Sequence, residues 1–205
     1  PYKNGLKNYV FKQKDEYYIV STNKGTITSV YATGKGVKVS PLKIGENSSH
    51  IFEDTSINPE PTVKTKGKTY KFEMSDEDLK TQTLIKYGDV YAQIYSDQQT
   101  NKILAVRFLD ANTLATLQPY KLNRAEDEGQ ISESSDDKIP HEQNPNQLIT
   151  LYEVTNKMRE MKNLKSLKVN NDIARIAAIN LYEATDKGSD SVEFTENALT
   201  QQLDE

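Results

Sequence analysis

The sequence predicts an α+β protein with two domains. The first domain is built on antiparallel β-hairpins with short helices, and the second opens with helices. Three observations support this prediction. Paired runs of β-branched and aromatic residues fill the first part of the chain, helical spacing of apolar residues begins at Leu148, and an acidic segment separates the two. The predicted domains are therefore 1–123 and 148–205, joined by a linker at 124–147.

Composition narrows the functional classes. A chain of 205 residues is long enough for one large or two modest domains. Its net charge of −4 argues against a nucleic-acid partner, which selects a basic surface. No apolar run reaches the roughly 18 residues of a membrane-spanning helix. The absence of cysteine excludes disulfides, thiolate metal sites and a cysteine nucleophile. Because the chain starts at Pro1 without a signal-peptide pattern, we expect the native N-terminus, with a signal or membrane anchor, to be missing from it.

The first predicted hairpin combines the runs YYIV at 17–20 and TITSVYAT at 26–33. Both are rich in β-branched and aromatic residues, and the segment 21–25 between them has the composition of a turn. The glycine pair at 34–36 ends the hairpin. A short helix is predicted within 42–54.

We expect that short helix to begin at Asn47 or Ser48, whose side chains suit an N-cap. A second hairpin is predicted at 64–74, where glycine divides two extended runs. The segment 75–78, with sequence SDED, offers a cap and a turn.

A third hairpin repeats the plan of the first. The runs at 89–97 and 102–110 alternate apolar and polar residues and are joined by a polar connection at 98–101. This similarity indicates a weak internal duplication. The segment 111–117, with sequence ANTLATL, is predicted to form a short helix.

The acidic segment 124–147 has the composition of a linker. Its seven acidic residues and two basic ones give it a net charge of −5, so the rest of the chain sums to +1. A segment with so few large apolar residues cannot bury enough surface to order itself. The acidity of the protein therefore belongs to the linker and indicates neither a metal site nor a basic partner.

The segment after the linker predicts two helices. The first carries apolar or amphipathic residues on one face at the spacing i, i+3, i+4 and i+7, namely Leu148, Leu151, Tyr152 and Thr155. A break is predicted at 162–163, followed by an extended segment at 164–167. The sequence Asn-Asn-Asp at 170–172 supplies the cap of the second helix.

These residues carry a family resemblance. The runs TNKMR at 155–159 and LKSLKVNNDIA at 164–174 resemble the opening helices of a CAP domain. This is the family of cysteine-rich secretory proteins, antigen 5 and pathogenesis-related proteins, here in its cysteine-free bacterial form. The runs LIKYGDVYAQIY at 84–95 and KILAVRFLDANTL at 102–114 resemble the CAP-associated N-terminal domain that often precedes it. The resemblance implies that residues 148–205 form the first helices of an α/β/α sandwich.

The family's cleft holds two histidines and two glutamates that bind a divalent metal in some members. Asn180 occupies the helix position where bacterial members often have histidine, and 189–196 corresponds to the loop that carries another. No histidine follows His141, and the remaining tetrad segments would lie beyond Glu205. We therefore assign no catalytic, metal-binding or cofactor-binding residue and predict no cofactor. We expect a truncated or trimmed CAP domain rather than one that has lost its tetrad.

Other candidate sites are weak. His50 and His141 are the only histidines and lie on separate segments, so a catalytic pair is not expected; His50 is predicted on a helix surface. Ser48 and Ser49 beside His50 lack the G-x-S-x-G elbow of a hydrolase. The glycines at 34–36 lack the spacing of a phosphate-binding loop and indicate a turn.

Ten of the twelve tyrosines precede the linker. Flat amphipathic rings stack on sugars, so exposed members of the set Tyr87, Tyr91 and Tyr95 are candidates for a cell-wall platform. The alternative, that tyrosine simply suits half-buried strands, is favoured. Three further acids, Glu183, Glu193 and Glu196, are candidates for remnants of an acidic cleft, with a solvated surface as the favoured interpretation.

The resemblance implies a secreted or cell-surface bacterial protein that acts as a non-enzymatic binding module. Its ligand is unknown, with cell-wall material, lipid and protein as open possibilities. One alternative is a metal-dependent hydrolase or protease whose site residues lie beyond residue 205. Another is that the N-terminal domain regulates the CAP cleft, which predicts contacts between 9–122 and the helices at 148–182.

Overall fold

The structure, a computed structural model, describes residues 6–123 and 145–171. The strands are β1 (Leu6–Lys12), β2 (Tyr17–Asn23), β3 (Thr26–Thr33), β4 (Lys38–Val39), β5 (Leu42–Lys43), β6 (Thr62–Lys64), β7 (Thr69–Glu73), β8 (Gln82–Tyr87), β9 (Val90–Ser96), β10 (Ile103–Leu109) and β11 (Lys121–Leu122). The helices are α1 (Ser49–Asp54), α2 (Asp76–Thr81), α3 (Ala111–Leu117) and α4 (Pro145–Met161). The strand-rich mixture with short helices confirms the predicted α+β class.

Six strands form one antiparallel sheet in the order β1-β2-β3-β10-β9-β8. Strands β3 and β10 pair at its centre, where Ala32 lies opposite Val106. Strand β3 is the last strand of the meander β1-β2-β3, and β10 is the last strand of the meander β8-β9-β10, so the first and third predicted hairpins form corresponding halves of one sheet. The predicted internal duplication is consistent with this arrangement.

One face of the sheet carries an apolar core. Buried residues of the central strands, including Ala32, Ile94 and Val106, pack against Ile51 of α1 and Ile44. Side chains on neighbouring positions alternate between the two faces, so this face is uniformly apolar near the middle of the sheet. The core fixes α1 and the segment before it against the sheet.

The other face is covered by a three-stranded sheet in the order β11-β7-β6 and by α3. Phe72 of β7 and Leu114 of α3 are fully buried there against Leu84, Tyr91 and Leu109 of the large sheet. The rings of Phe72 and Tyr120 meet edge to face at 6.2 Å. The hairpin predicted at 64–74 is confirmed as β6 and β7.

Side-chain capping explains where helices α2 and α3 begin. Helix α1 follows Ser48, one of the two predicted positions, but the Ser48 side chain makes no capping hydrogen bond, and the Asn47 carboxamide oxygen accepts from the Ser49 N–H at 2.9 Å. In α2 the Ser75 hydroxyl accepts from the Asp78 N–H at 3.1 Å, and the Asp78 carboxylate accepts from the Ser75 N–H at 2.9 Å. The predicted cap is therefore present, but it opens a complete helix rather than a turn alone. The Asp110 carboxylate caps α3.

Helix α4 confirms the predicted helix and its break. It begins at Pro145, three residues before the predicted start at Leu148, because proline suits the first helical position. It ends at Met161, and Asn163 has a φ of 55°. None of the described helices is long and apolar enough to span a membrane. The rest of the predicted linker and the predicted second helix after residue 171 lie outside the described residues.

Candidate functional site: helix α4 on the sheet and a pocket at the β8 edge

Helix α4 docks on the large sheet through polar contacts centred on Glu153. The buried Tyr17 hydroxyl donates to Oε2 of Glu153 at 2.8 Å, and the Lys12 ammonium pairs with Oε1 of the same carboxylate. One helix turn later, the Lys157 ammonium donates to the Lys14 carbonyl in the turn between β1 and β2. The carboxylate of α4 is therefore held by two strands at once.

The pKa shifts of this cluster follow its geometry. Burial, followed by the hydrogen bond to Glu153, raises the pKa of the Tyr17 hydroxyl. The hydrogen bond from Lys12, with a second from Tyr17, lowers the pKa of Glu153. Both shifts favour the protonation states that bond to each other near neutral pH, with Tyr17 neutral and Glu153 ionised.

The C-terminal end of α4 is held by a second cluster. Lys162 pairs with the Asp97 carboxylate, whose side chain is only 5% exposed in the turn between β9 and β10. That carboxylate also accepts from the Gln99 and Thr100 N–H groups at 2.9 and 3.0 Å. The Lys162 bond is the main reason that the pKa of Asp97 falls to about 2. Met161 packs against the core of the sheet.

The side of α4 that contacts the sheet is not its predicted apolar face. Leu151 is 65% exposed, whereas Glu153 and Met161 face the sheet. The prediction was based on apolar spacing, which does not detect a helix that docks mainly through ion pairs.

The extended segment after α4 folds back along the helix. The Asn156 carboxamide oxygen accepts from the Leu167 N–H at 2.8 Å, and the Tyr152 hydroxyl donates to the Leu167 carbonyl at 2.8 Å. The Arg159 side chain donates to the Lys165 carbonyl at 2.9 Å. The polar residues of the TNKMR run therefore hold the LKSLK run, which explains why the two motifs occur together.

A small pocket of about 150 Å³ lies at the edge of the sheet formed by β8. Its floor is apolar, with Ile85 and Ile103, and its rim carries His50, Lys86 and Tyr87. The Tyr87 ring is exposed and meets the Phe108 ring edge to face at 6.2 Å, which fixes its orientation. Within the described part of the chain, the Tyr87 hydroxyl and the Lys86 ammonium make no hydrogen bond or ion pair. An apolar floor with a few unpaired polar groups is typical of a ligand site.

A wider depression of about 530 Å³ lies beside β11. Its two charged groups already pair, since the Lys121 ammonium lies 3.1 Å from the Glu73 carboxylate. The smaller pocket is therefore the better candidate for a ligand.

The structure places the other sequence candidates apart. His50 is exposed on α1, as predicted, and its Nδ1 lies 3.4 Å from Glu53. Ser48 is buried at the helix cap, and no described hydroxyl bonds to the imidazole. Gly34 lies in a turn against the Asp15 carbonyl, as the turn interpretation requires. His141 lies outside the described residues.

The proposed tyrosine platform does not form as a continuous surface. Tyr91 is buried in the second core, and Tyr95 donates to the Gln93 carboxamide at 2.6 Å. Tyr87 alone of these three residues is exposed. Side chains alternate between the two faces along a strand, so Tyr91 and Tyr95 lie on the same face of the sheet, the face that packs against β6, β7 and α3. Tyr87 lies on the edge strand β8 and stays exposed.

The sequence did not predict an aromatic cluster around Arg107. The Arg107 guanidinium lies 5.7 Å from the Tyr31 ring centroid and 6.0 Å from that of Tyr95. Burial raises the pKa of Tyr31 to about 12, although Arg107 opposes the shift. Among described residues Arg107 has no carboxylate partner. Only the pairing of β3, β10 and β9 brings these residues together.

The tetrad positions of the CAP family, from Asn180 to Glu196, lie outside the described residues, as do Glu183 and Glu193. Within 6–123 and 145–171 there is no group of three or more histidine, aspartate or glutamate residues suited to hold a metal ion.

The hairpin sheet and its docked helix define a class of protein. Residues 1–120 match the family described as CAP-associated N-terminal, and the chain belongs to this family. Over its whole length the chain is 60% identical to a cysteine-rich secretory protein (SAV1118) from Staphylococcus aureus, with a TM-score of 0.85. It is 25% identical to an extracellular protein containing an SCP domain from Bacillus anthracis, with a TM-score of 0.78 over 93% of the chain. The predicted resemblance to cysteine-free bacterial CAP proteins is thus confirmed.

A curated relative extends the comparison to a third bacterium. Over 115 residues, which make up 56% of the chain, the protein is 33% identical to "Uncharacterized membrane protein YlbC" of Bacillus subtilis strain 168. The chain spans 33% of that relative, 66% of the Staphylococcus aureus chain and 62% of the Bacillus anthracis chain. Extracellular-type CAP proteins are therefore the class to which this chain is related.

Proposed function

We propose that the protein is a non-enzymatic binding module on the outer side of the bacterial cell, with its ligand site in the N-terminal domain. The pocket at the β8 edge carries this proposal. It combines an exposed aromatic ring with unpaired polar groups above an apolar floor, which suits the alternating apolar faces and hydroxyl edges of a wall saccharide. Relatives described as extracellular and as a membrane protein support a location at the cell surface.

Sedimentation with insoluble, purified cell wall tests this function. We expect the chain to co-sediment with the wall and Tyr87→Ala to weaken retention by about tenfold, the effect of losing roughly 1.4 kcal/mol of stacking. Leu117→Ala, which removes another exposed apolar side chain far from the pocket, is the matched control. Failure of the unmodified chain to co-sediment would reject the wall ligand, and equal loss in both variants would reject the pocket.

A second candidate function is regulation of the CAP cleft by the N-terminal domain. The contacts of Glu153 and Lys162 with the sheet support it, because a domain that merely precedes another along the chain has no need to bind its first helix. In this proposal the second domain begins at α4 and the N-terminal domain fixes its orientation. Ligand binding to a complete CAP domain joined to this chain should then change when Glu153→Gln or Asp97→Asn releases the helix.

The enzymatic alternative remains a separate proposal. A metal-dependent hydrolase or protease requires histidines and glutamates in the part of a CAP domain that would follow residue 205. Hydrolysis of wall or peptide substrates by a protein that joins this chain to a complete CAP domain, abolished when those histidines are replaced, would favour the enzyme over the binding module.

A further inference from the structure

Strand β1 forms a free edge of the large sheet. It pairs with β2 along its whole length, and no described strand lies on its other side. Gln13 and Glu16 exchange backbone hydrogen bonds at 2.9 and 3.4 Å, so they form a hydrogen-bonded pair. Hydrogen-bonded and non-hydrogen-bonded pairs alternate along an antiparallel ladder. Odd-numbered residues of β1 therefore bond to β2, and the N–H and C=O groups of Asn8, Val10 and Lys12 point away from the sheet.

Of the features that normally prevent an edge strand from pairing with another chain, β1 carries two lysines, and one of these, Lys12, is paired with Glu153. Natural edges are also blunted by proline, bulges or inward-pointing charges. The sequence LKNYVFK contains no proline, and its register with β2 is unbroken. Tyr9, Val10 and Phe11 are 47%, 40% and 56% exposed. An extended edge of this kind is suited to accept a further strand.

The strand is complementary to itself in the antiparallel direction. A two-fold axis through Val10 places Tyr9 opposite Phe11 of the second copy, and Asn8 opposite its Lys12. Tyr9 and Phe11 then occupy the non-hydrogen-bonded pairs, where side chains are closest and aromatic pairs stabilise most. The outward-pointing groups of Asn8, Val10 and Lys12 fall in the hydrogen-bonded pairs. No lysine lies opposite another lysine.

The direction of helix α4 also favours a second copy at the β1 edge. It crosses the strands from Lys12 of β1 towards Asp97 at the end of β9, so its residues before Glu153 continue in the direction of the free edge. Ile149 and Leu151 are exposed there. A second copy related by the two-fold axis would bring its own β1 and β2 beneath these side chains.

We propose that the chain forms a symmetric dimer in which the β1 strands of two copies pair in antiparallel fashion about Val10 and join two six-stranded sheets into one. The interface is isologous, so the same residues contribute from both copies and the assembly closes as a dimer. The dimer places two β8 pockets at the opposite outer edges of the joined sheet.

The mass of the chain in solution provides the first test. Light scattering on a size-exclusion column should give twice the 23.2 kDa of one chain. Val10→Lys should yield the monomer, since it places like charges directly opposite each other, and Val10→Glu should do the same. A mixture of these two variants should recover the dimer. Ile27→Lys, at an exposed apolar residue of β3 away from the edge, should leave the dimer intact.

A single cysteine tests the register. The chain contains no cysteine, so Val10→Cys supplies its only thiol. Residues in a hydrogen-bonded antiparallel pair have Cα atoms about 5.5 Å apart, a distance that a disulfide bridges. Mild oxidation should give a covalent dimer much faster than with Ile27→Cys. The proposal would be overturned if the chain were monomeric and Val10→Cys and Ile27→Cys cross-linked at equal rates, which would leave the edge to a strand from another protein. A dimer that persists in Val10→Lys would also overturn it.

Discussion

The Tyr17 hydroxyl donates a 2.8 Å hydrogen bond to Glu153, a residue 136 positions later in the chain. Tyr17 lies at the start of β2 and is fully buried, whereas Glu153 lies on a helix that begins in the last residues of the acidic segment. Lys12 pairs with the same carboxylate. Two segments that look like separate domains in the sequence are thus in direct polar contact.

Removing this hydrogen bond should measure the strength of docking. We expect Tyr17→Phe to lower the free energy of unfolding by about 1 to 2 kcal/mol, because a buried donor to a carboxylate is lost while the ring remains. Glu153→Gln should lower the free energy of unfolding less when Tyr17→Phe is already present than when it is made alone. Urea unfolding of the unmodified protein, the two single variants and the double variant gives the coupling energy between the two residues. Tyr9→Phe, at an exposed tyrosine, is the control. Strictly additive effects would show that the two residues do not interact.

Asp97 should make stability depend on pH in the acid range. Lys162 and two backbone N–H groups lower the pKa of Asp97 to about 2, so its contribution is present above the ordinary value near 3.8 and lost as the pH falls towards 2. We expect Asp97→Asn to cost about 1 to 3 kcal/mol at neutral pH and to flatten the decline between pH 4 and 2. Thermal unfolding against pH measures both. The exposed Asp89→Asn should retain the decline, and an unchanged acid profile in Asp97→Asn would contradict the assignment.

The Arg107 cluster predicts a shift in tyrosine ionisation. Burial raises the pKa of Tyr31 to about 12 and also raises that of Tyr95, while the Arg107 cation lowers both. Arg107→Met removes the charge and keeps an apolar stem, so the pKa values of the two phenols should rise further. Ultraviolet absorbance of phenolate during an alkaline titration measures this, with Tyr31→Phe and Tyr95→Phe assigning the steps. A fall in either pKa would show that the cation does not face the rings.

Gly34 should be intolerant of substitution, unlike its neighbour Gly36. A Cβ at Gly34 would lie 2.2 Å from the Asp15 carbonyl oxygen at a φ of +127°, so the turn between β1 and β2 would have to move. Gly36 has a φ of +75°, but a Cβ there would meet no heavy atom within 4 Å. Gly36→Ala should therefore lower the free energy of unfolding by only about 1 to 2 kcal/mol, because alanine disfavours the left-handed backbone. We expect Gly34→Ala to be several kcal/mol less stable than Gly36→Ala in urea unfolding. Equal stability would show that the turn can relax.

The sequence by itself determined the hairpins, the short helices and the family, because these depend on residues that are close along the chain. Alternating β-branched residues specify the strands at 17–33 and 89–110, and the Ser75 cap specifies where helix α2 begins. The capping at Ser75 was predicted, but not the length of helix that follows it, because its six residues contain only one large apolar side chain, Leu79.

Only the tertiary structure decided which residues form sites. Tyr87 and Tyr91 are four positions apart in similar sequence, yet one is exposed at the sheet edge and the other is buried, because a second sheet covers one face of the first. The Arg107 cluster and the contact between Tyr17 and Glu153 join positions far apart along the chain, so no local pattern reports them. Strand pairing and helix docking create these contacts, and both follow from burial of the whole fold rather than from the preference of any segment.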